Sequence, residues 1–493
     1  EGTYQSKKKA VRYNFAHIEH DSLGKMYENY LGTVQQKKDG AYYTPSYISK
    51  YICQNTIIPY LSKSGVTEIS DLILEYSDNL EKLESKIHNM KILDPACGTG
   101  EFLIRAIDIL LEISTEIQAQ KEASGQYTHT VKGKKSGSVS YQTFGKDVEN
   151  KEIRKIIQNN IHGVDINKEA IEITQLNMFL KLATSSQQLI DLSKNILVGN
   201  SLINDLNLDP KACDLIKIFP EKFNVVIGNP PYIRKQKVDK KINEYLKTNY
   251  NSLTGNYDLY IAFIEIGINL LNENGVMGMI TSSKFIKTEN GKKIRKIIFK
   301  KRILNMIIDF GTNQIFKGSK ASTYTAISIL RNKKQQKFNY KFFKLGENFE
   351  SLSSLNYDRL NQEELDNEWW NFTNNDVRKI LVKIKSQEIN FRDISKKIFK
   401  GSSTGNDKIF LLDLIKKGKH KSVVFSKQLQ TQIEIENNLL KPYVFGENIH
   451  RYKPIIASKM VLFPYTIEND SIHLIPIDIL KTKLPQTFNY LNN

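Results

Sequence analysis

The chain contains little cysteine and no long hydrophobic run. Its three cysteines, Cys53, Cys97 and Cys213, are too few and too scattered for a disulfide framework, and no Cys or Cys/His spacing suggests zinc. No apolar run approaches the roughly 20 residues that a bilayer span needs. These absences argue against a disulfide-rich secreted domain and a transmembrane helix. We therefore expect a protein in solution in a reducing compartment, the cytoplasm, with no metal requirement.

Two common nucleotide-binding loops are also missing. No GxxxxGK[ST] string is present, which removes the usual phosphate loop of an ATPase, and no GxGxxG string, which disfavours a nicotinamide site. The chain has no signal peptide at its start, but its first residue, Glu1, is not methionine. We therefore expect a processed chain or a fragment.

Basic residues outnumber acidic ones. Lys+Arg 71 against Asp+Glu 53 gives a formal net charge of +18. A polyanionic partner such as nucleic acid is the leading expectation, although a Lys/Asn/Ile-rich composition with a solvated basic surface would produce the same charge. The 493 residues favour two or three domains.

The spacing of apolar residues predicts an α/β domain in the middle of the chain. Residues 1–90 are predicted to be mostly helical, as in YISKYICQNTIIPYL. Residues 91–335 alternate apolar strands with amphipathic helices, which predicts a doubly wound, mainly parallel sheet. Its last two strands, ILNMIIDF and TYTAISIL, have no clear helix between them, so an antiparallel pair is expected there.

Polar segments divide the rest of the chain. Residues 118–147 are rich in Gly, Ser and Lys and are predicted to be an inserted surface loop. Residues 336–390 lack a clean period and are predicted to be a linker. Residues 391–493 are then a separate C-terminal domain.

A glycine-rich turn follows the first predicted strand. The string DPACGTG (94–100) leads directly into the helix EFLIRAIDILLEI. Gly98 and Gly100 let the backbone pass close to a ligand at the carboxyl edge of the sheet, where such folds bind cofactors. We predict a small-ligand site here, with a purely structural glycine turn as the alternative.

The next two strands end in polar residues. The strand IHGVDI closes with Asp165, whose carboxylate can accept hydrogen bonds from two ribose hydroxyls of a nucleoside cofactor. The alternative is that Asp165 is the N-cap of the following helix. The third strand ends at Gly199-Asn200-Ser201, and Asn200 can bond the adenine edge of the same cofactor.

The fourth strand, FNVVIG, delivers Asn229-Pro230-Pro231-Tyr232. The prolines fix the backbone and leave carbonyls without a local amide competitor, while asparagine adds a side-chain carbonyl. An amino group that donates to Asn229 and to the Pro230 carbonyl would be drawn toward tetrahedral geometry, which exposes its lone pair for attack. Tyr232 can stack on the attached ring. A Pro-Pro turn after a buried strand is the structural alternative.

These strings in this order, DPACGTGEFL, HGVDI, GNSL and NPPY, resemble the adenine-specific, S-adenosylmethionine (SAM)-dependent amino-methyltransferases of DNA. The resemblance implies a Rossmann-like class I methyltransferase fold and methyl transfer from SAM to the N6 amino group of a flipped adenine. The string GAYYTP (40–45) resembles the family's tenth motif, which closes over the methionine end of SAM. In the γ class of these enzymes the tenth motif precedes the other motifs along the chain, as GAYYTP does here.

Two further strings extend the resemblance. GNYDLYIAF (255–263) resembles the fifth motif, so Phe263 would border the SAM adenine, and IFKGSK (315–320) resembles the eighth, so Phe316 would form a base clamp with Tyr232. Without the motif order, phenylalanines such as these are more often core residues, and only the order favours the functional roles. The catalytic set implied is Asn229, Pro230, Pro231 and Tyr232. The cofactor-binding set implied is Tyr43, Thr44, Pro45, Asp94, Pro95, Ala96, Gly98, Gly100, Asp165, Ile166, Asn200, Ser201 and Phe263.

The C-terminal part resembles a target-recognition domain of type IIG restriction-modification enzymes. The strings are IFKGSSTGND (398–407), LLKPYVFGENIHRY and LFPY, and we expect the domain to be truncated at Asn493. The resemblance implies a prokaryotic modification enzyme with double-stranded DNA as its partner. A nuclease domain or subunit would lie outside this chain, because residues 1–90 contain no convincing nuclease carboxylate cluster.

Other amino-group methyltransferases share the NPPY string. Enzymes that methylate the glutamine amide of release factors or guanine in ribosomal RNA carry it, but chain size, GAYYTP and the basic C-terminal domain favour DNA. Cytosine amino-methyltransferases are the nearest rivals and more often have Ser or Asp in place of Asn229. A non-catalytic DNA-specificity subunit is an alternative of another class, against which the intact NPPY string argues.

Overall fold

A computed structural model describes most of the chain, which divides into two compact units, Glu1–Ile380 and Leu381–Asn493. The described residues are 2–6, 9–13, 44–123, 141–182, 190–316, 324–349, 351–352, 355–365, 369–370, 372, 380, 383–384, 386–389, 391–395, 404–455, 457, 459–468 and 471–492. Within them, no helix is long and apolar enough to cross a membrane.

The first unit opens with an antiparallel hairpin, β1 (Gly2–Ser6) and β2 (Lys9–Tyr13). Three helices follow, Ser46–Leu61, Ile69–Glu75 and Leu80–His88. The described part of the N-terminal segment is thus helical from residue 46 onward, as expected, whereas the hairpin was not predicted.

A nine-stranded sheet forms the centre of the first unit. Its strands are β3 (Ile92–Asp94), β4 (Ile161–Asp165), β5 (Ile196–Val198), β6 (Phe223–Gly228), β7 (Leu271–Ser282), β8 (Leu304–Asp309), β9 (Thr325–Arg331), β10 (Lys337–Phe342) and β11 (Asp358–Asn361). The spatial order is β11-β10-β8-β9-β7-β6-β3-β4-β5.

The sheet is mostly parallel, which confirms the predicted α/β fold. Strands β5, β4, β3, β6 and β7 run parallel to one another, and β9 lies antiparallel between β7 and β8. The antiparallel pair of β8 and β9 was expected because a parallel crossover needs a connecting helix. The carboxyl ends of β3, β4 and β6 therefore meet at one edge of the sheet.

Helices cover both faces of the sheet. They are Glu101–Ala123, Tyr141–Asn159, Lys168–Leu182, Leu215–Ile218, Lys240–Asn249, Tyr260–Leu270, Lys284–Lys287 and Lys292–Lys301, with 3-10 turns at Lys235–Lys237, Glu289–Gly291 and Gln362–Glu364. Successive strand residues enter opposite cores, since Val225 and Ile227 pack in one cluster and Val226 in the other. This alternation accounts for the nearly continuous apolar strands of the sequence.

Two predicted irregular segments contain regular structure. Residues 336–390 were expected to be a linker, but they include β10, which pairs parallel with β8, and β11, which pairs antiparallel with β10. The side chains of Phe338, Tyr340 and Trp370 are buried there. Helices also occupy both ends of the expected loop 118–147, of which 124–140 lies outside the described residues.

The helix Ser46–Leu61 lies against the sheet and runs antiparallel to β6. A Cβ on Gly278 of β7 would lie 2.6 Å from Thr56 Cγ2, so only glycine permits this close approach. At the end of the helix, Tyr60 accepts a hydrogen bond from the Asn224 side chain at the start of β6. The beginning of the helix therefore lies at the carboxyl end of β6.

The second unit is built on an antiparallel sheet. Its strands are β12 (Leu411–Lys416), β13 (Lys421–Ser426), β14 (Thr431–Glu436), β15 (Leu440–Tyr443) and β16 (Lys459–Leu462), in the order β14-β13-β12-β16-β15. A separate hairpin is formed by β17 (Tyr465–Glu468) and β18 (Ser471–Leu474). The helices are Phe391–Ile394, Asp407–Phe410, Ile477–Lys483 and Pro485–Asn492, with 3-10 turns at Asn437–Leu439 and Gly446–Asn448.

Candidate active site

The tips of β3 and β6 touch each other. Gly228, the last residue of β6, has a φ of 150°, and a Cβ at this position would lie 2.6 Å from Asp94 Oδ1. Glycine is required because any side chain would displace the Asp94 carboxylate. The glycine turn that follows β3 and the NPPY turn that follows β6 are consequently parts of one site.

The Asn229 side chain is held in a defined orientation. Its Nδ2 donates a hydrogen bond to Thr44 Oγ1 at 3.0 Å, and Thr44 is buried. Because the nitrogen end of the planar amide is directed to Thr44, its carbonyl oxygen lies at the opposite end. The structure thus brings together two residues that the sequence analysis assigned to different tasks, Thr44 to the cofactor and Asn229 to catalysis.

Three aromatic rings meet beside the NPPY turn. The ring centroid of Tyr232 lies 6.2 Å from that of Phe316, with 70° between the planes, and 5.9 Å from that of Tyr260. A base held between Tyr232 and Phe316, as the sequence predicts, needs parallel rings separated by roughly twice the 3.4 Å base rise. The two rings pack edge to face instead, so they must rotate or separate before a base can enter. Tyr260, within the NYDLYIAF string, was missed as a member of this group.

Asp94 has a buried carboxylate oxygen that no described residue hydrogen-bonds. Oδ1 accepts from the Ala96 backbone N–H at 3.0 Å, whereas Oδ2 has no partner among the described residues. Burial raises the pKa of Asp94 to about 8 despite the Ala96 N–H, and the negative charge of Asp165 contributes. Beside it, a Cβ on Gly98 (φ 53°) would meet nothing within 4 Å, so the turn borders open space. A buried carboxyl group that keeps its proton at neutral pH can release it when a cationic ligand enters this space.

Asp165 ties the tip of β4 to the glycine turn. Its Oδ2 accepts from the Gly98 backbone N–H at 2.9 Å and its Oδ1 from the Asn167 N–H at 2.9 Å. The helix Lys168–Leu182 is capped by Asn167, whose Oδ1 accepts from the Ala170 N–H at 3.1 Å. The alternative that Asp165 is the N-cap is therefore wrong. The side chain of the adjacent Ile166 is 51% exposed.

The residues after β5 brace the loops of the site. Ser201 donates a hydrogen bond to the Pro95 carbonyl at 2.6 Å and is buried, so it supports the glycine turn. Asn200 donates to Asp209 Oδ2 at 2.7 Å and accepts from the Leu202 N–H at 3.2 Å. Both the nitrogen and the oxygen of the Asn200 amide thus form hydrogen bonds within its own loop. A contact with the cofactor adenine, as predicted, would need the same two atoms.

The roles of two predicted cofactor residues are not tested by these contacts. Phe263 is buried in the core cluster that contains Leu93 and Val164, with the half-buried Ala96 packed against it. Tyr43 lies outside the described residues, as does the end of the IFKGSK string. Their contacts with a cofactor stay predictions.

The sheet and the two turns define the class of protein. Five parallel strands in the order β5-β4-β3-β6-β7, an antiparallel β9 inserted before β8, and the glycine and NPPY turns after β3 and β6 form a class I SAM-dependent methyltransferase fold. Residues 159–316 match the model of the Eco57I restriction-modification methylase family. The predicted resemblance to restriction-modification methylases is confirmed.

Curated relatives agree with this assignment. RM.Eco57I, a type II restriction enzyme and methyltransferase of Escherichia coli, is 28% identical over 97% of this chain and 48% of its own length. The type II methyltransferase M.BstVI of Geobacillus stearothermophilus is 24% identical over 86% of this chain and 70% of its own. A solved structure of the Type IIL restriction-modification enzyme MmeI with DNA covers 70% of this chain and 43% of its own at 16% identity, with a TM-score of 0.48. The chain thus spans about half the length of RM.Eco57I.

Proposed function

We propose that this chain transfers a methyl group from SAM to the N6 amino group of an adenine flipped out of double-stranded DNA, as the modification part of a restriction-modification system. The observation that carries the proposal is the Asn229 amide, oriented by Thr44 beside the buried Asp94. An amide carbonyl can accept a hydrogen from an amino group without removing its proton, which is the requirement of this chemistry.

The glycine turn and the tips of β3 and β4 are the proposed SAM site. SAM supplies an electrophilic methyl group on a positively charged sulfur. The buried Asp94 Oδ2 suits a ligand with positive charge, and the Asp165 carboxylate stands where ribose hydroxyls can bind. The exposed side chains of Ile166 and Val198 offer an apolar surface to the adenine ring of the cofactor.

The NPPY turn is the proposed site of the target amino group. Asn229 and the Pro230 carbonyl each accept one amino hydrogen, which holds the nitrogen with its lone pair directed away from the ring. Tyr232 stacks on the base after it rotates from Phe316. Stacking of this kind contributes roughly 1–3 kcal/mol per base, enough to offset much of the cost of flipping.

A basic segment directly after the NPPY turn supports DNA as the partner. Arg234, Lys237, Lys240 and Lys241 are exposed, and Asp239 is engaged in capping the helix Lys240–Asn249. Such cations bind phosphates and position a duplex without reading its sequence. The target-recognition role of the second unit, the γ-class motif order and a nuclease outside this chain belong to the same proposal.

A methyl-transfer assay with three substrates tests this proposal. The chain is incubated with tritiated SAM and equal masses of unmethylated duplex DNA, ribosomal RNA or release-factor protein, with Asn229→Ala as the control that keeps the SAM site. We expect label in DNA only, and orders of magnitude less of it with the variant. Label in RNA or in protein glutamine would contradict the DNA assignment, and SAM binding without any transfer would favour a non-catalytic specificity subunit.

A further inference from the structure

The side chain of Thr44 faces the catalytic asparagine. We infer that Thr44 is a positioning residue, which holds the Asn229 amide in the orientation that accepts the target amino group. The inference rests on the proposed function. It goes beyond the cofactor contact that the GAYYTP string implies for this threonine.

The hydrogen bond distinguishes the two ends of the amide. A terminal amide can rotate by a half turn, which exchanges its oxygen and nitrogen positions. In the reversed orientation an NH2 group would face the NH2 of the base, two donors without an acceptor between them. In the structure Nδ2 donates to Thr44 Oγ1 at 3.0 Å, and this contact holds the amide with its carbonyl oxygen directed away from Thr44, which is the orientation that can accept the target amino group.

The helix that follows Thr44 holds the hydroxyl in place. The Pro45 carbonyl accepts from the Ile48 and Ser49 N–H groups at 2.9 and 3.2 Å, which closes the first turn of the helix. Ser49 Oγ donates to Glu101 Oε1 at 2.7 Å, which connects this turn to the helix after the glycine motif. The segment that carries Thr44 is therefore connected to the helix that follows the glycine turn.

The other end of the helix is joined to the strand that delivers Asn229. Asn224, at the start of β6, donates to Tyr60 and accepts from the Lys91 backbone N–H at 2.6 Å. The helix Ser46–Leu61 and β6 are thus connected near both ends. Tyr60 bonds Asn224 at one end, and at the other end Thr44, which precedes the helix, bonds Asn229, which follows β6. This double connection keeps the amide oriented before any substrate is bound, so no reorganisation is needed during the reaction.

A set of isosteric variants tests the inference. Thr44→Val removes the hydroxyl and keeps the shape, and Thr44→Ser restores the hydroxyl. Thr56→Val is the matched control, because Thr56 is a buried threonine of the helix that follows Thr44 and its hydroxyl donates to the Ile52 carbonyl. We expect Thr44→Val to lower kcat about 10- to 100-fold, the effect of one buried hydrogen bond left unmade. Its SAM affinity should change less than about threefold, Thr44→Ser should recover most of the kcat that Thr44→Val loses, and Thr56→Val should stay near the wild-type kcat.

A double variant separates positioning from other roles. If Thr44 acts through Asn229, the pair Thr44→Val with Asn229→Ala transfers methyl groups no more slowly than Asn229→Ala alone. Multiplied losses in the double variant, a wild-type kcat in Thr44→Val, or a loss of SAM affinity with unchanged kcat would each overturn the inference.

Hydrogen exchange of the Asn229 side chain tests the role of Thr44 without a methyl-transfer assay, so its result does not depend on the proposed function. In the wild type, NMR of asparagine-labelled protein should show the Asn229 side-chain NH2, assigned by its disappearance in Asn229→Ala, with slowed hydrogen exchange. Thr44→Val should abolish this protection and Thr56→Val should keep it. Equal protection in all three proteins would refute the role of Thr44, whereas protected protein without methyl transfer would refute the proposed function alone.

Discussion

Replacement of Asp94 by asparagine probes the buried carboxylate at the centre of the site. Burial is the main cause that raises the pKa of Asp94 from 3.8 to about 8. A carboxyl group with a raised folded-state pKa stabilises the fold fully below its unfolded pKa, and that contribution is lost as the pH rises through the folded value. Without SAM, the protein should therefore become less stable between about pH 4 and pH 8 because of this group.

The size of the effect follows from the shift. At about 1.4 kcal/mol per pKa unit, a change from 3.8 to about 8 corresponds to at most roughly 6 kcal/mol. Local relaxation and water entry reduce such values, so we expect roughly 2–4 kcal/mol. Asp94→Asn keeps the shape without the charge. It should be more stable than the wild type at pH 8 by this amount and nearly equal to it at pH 4.

Urea unfolding of both proteins from pH 4 to pH 9 measures the difference. His162 does not confuse the result, because burial lowers its pKa to about 4 and its effect appears only below about pH 6.5, equally in both proteins. Parallel stability curves would refute the reasoning. The same carboxylate should release up to about 0.9 proton when the cationic SAM binds at pH 7, as calorimetry in two buffers detects, and Asp94→Asn should release none.

Three further variants test neighbouring parts of the site. Asn229→Ala should bind SAM nearly as well as the wild type and transfer methyl groups slower by orders of magnitude, as calorimetry and a tritium assay measure; near-normal turnover would refute its role as acceptor. Asp165→Ala should weaken SAM binding by roughly 1.5–3 kcal/mol, and unchanged affinity with only a lower melting temperature would leave it a structural brace of the Gly98 turn. Gly278→Ala should force the helix Ser46–Leu61 from the sheet, cost roughly 1–3 kcal/mol by overpacking and slow methyl transfer through Thr44; an unchanged melting temperature would contradict this.

The central fold was predictable because its signals are local. Strands β3 to β9 are apolar and lie between amphipathic helices, and the missing helix between β8 and β9 indicated their antiparallel pairing. The last two strands, β10 and β11, were not recognised, because both are short, KFNYKF alternates in burial and DRLN is mostly exposed. Only the pairing of β10 with β8, about 30 residues earlier in the sequence, and of β11 with β10 identifies them as part of the sheet.

The members of the site were predictable from motifs, but their contacts were not. Thr44 and Asn229 are 185 residues apart, and no local pattern indicates that one orients the other. The choice between Asp165 and Asn167 as helix cap depends on backbone geometry that the letters VDINKEA do not specify. The engagement of Asn200 with Asp209 likewise depends on the path of a loop.

The identity of the methylated nucleoside tests the central claim most directly. Unmethylated duplex DNA is incubated with the chain and SAM, digested to nucleosides and analysed by mass spectrometry. The Asn229 acceptor and a pocket bordered by Tyr232 and Phe316 predict N6-methyladenine in a single sequence context, because a purine fills the space between two aromatic rings more fully than a pyrimidine. N4-methylcytosine as the main product would contradict the adenine assignment, and DNA without any methylated base would contradict the account as a whole.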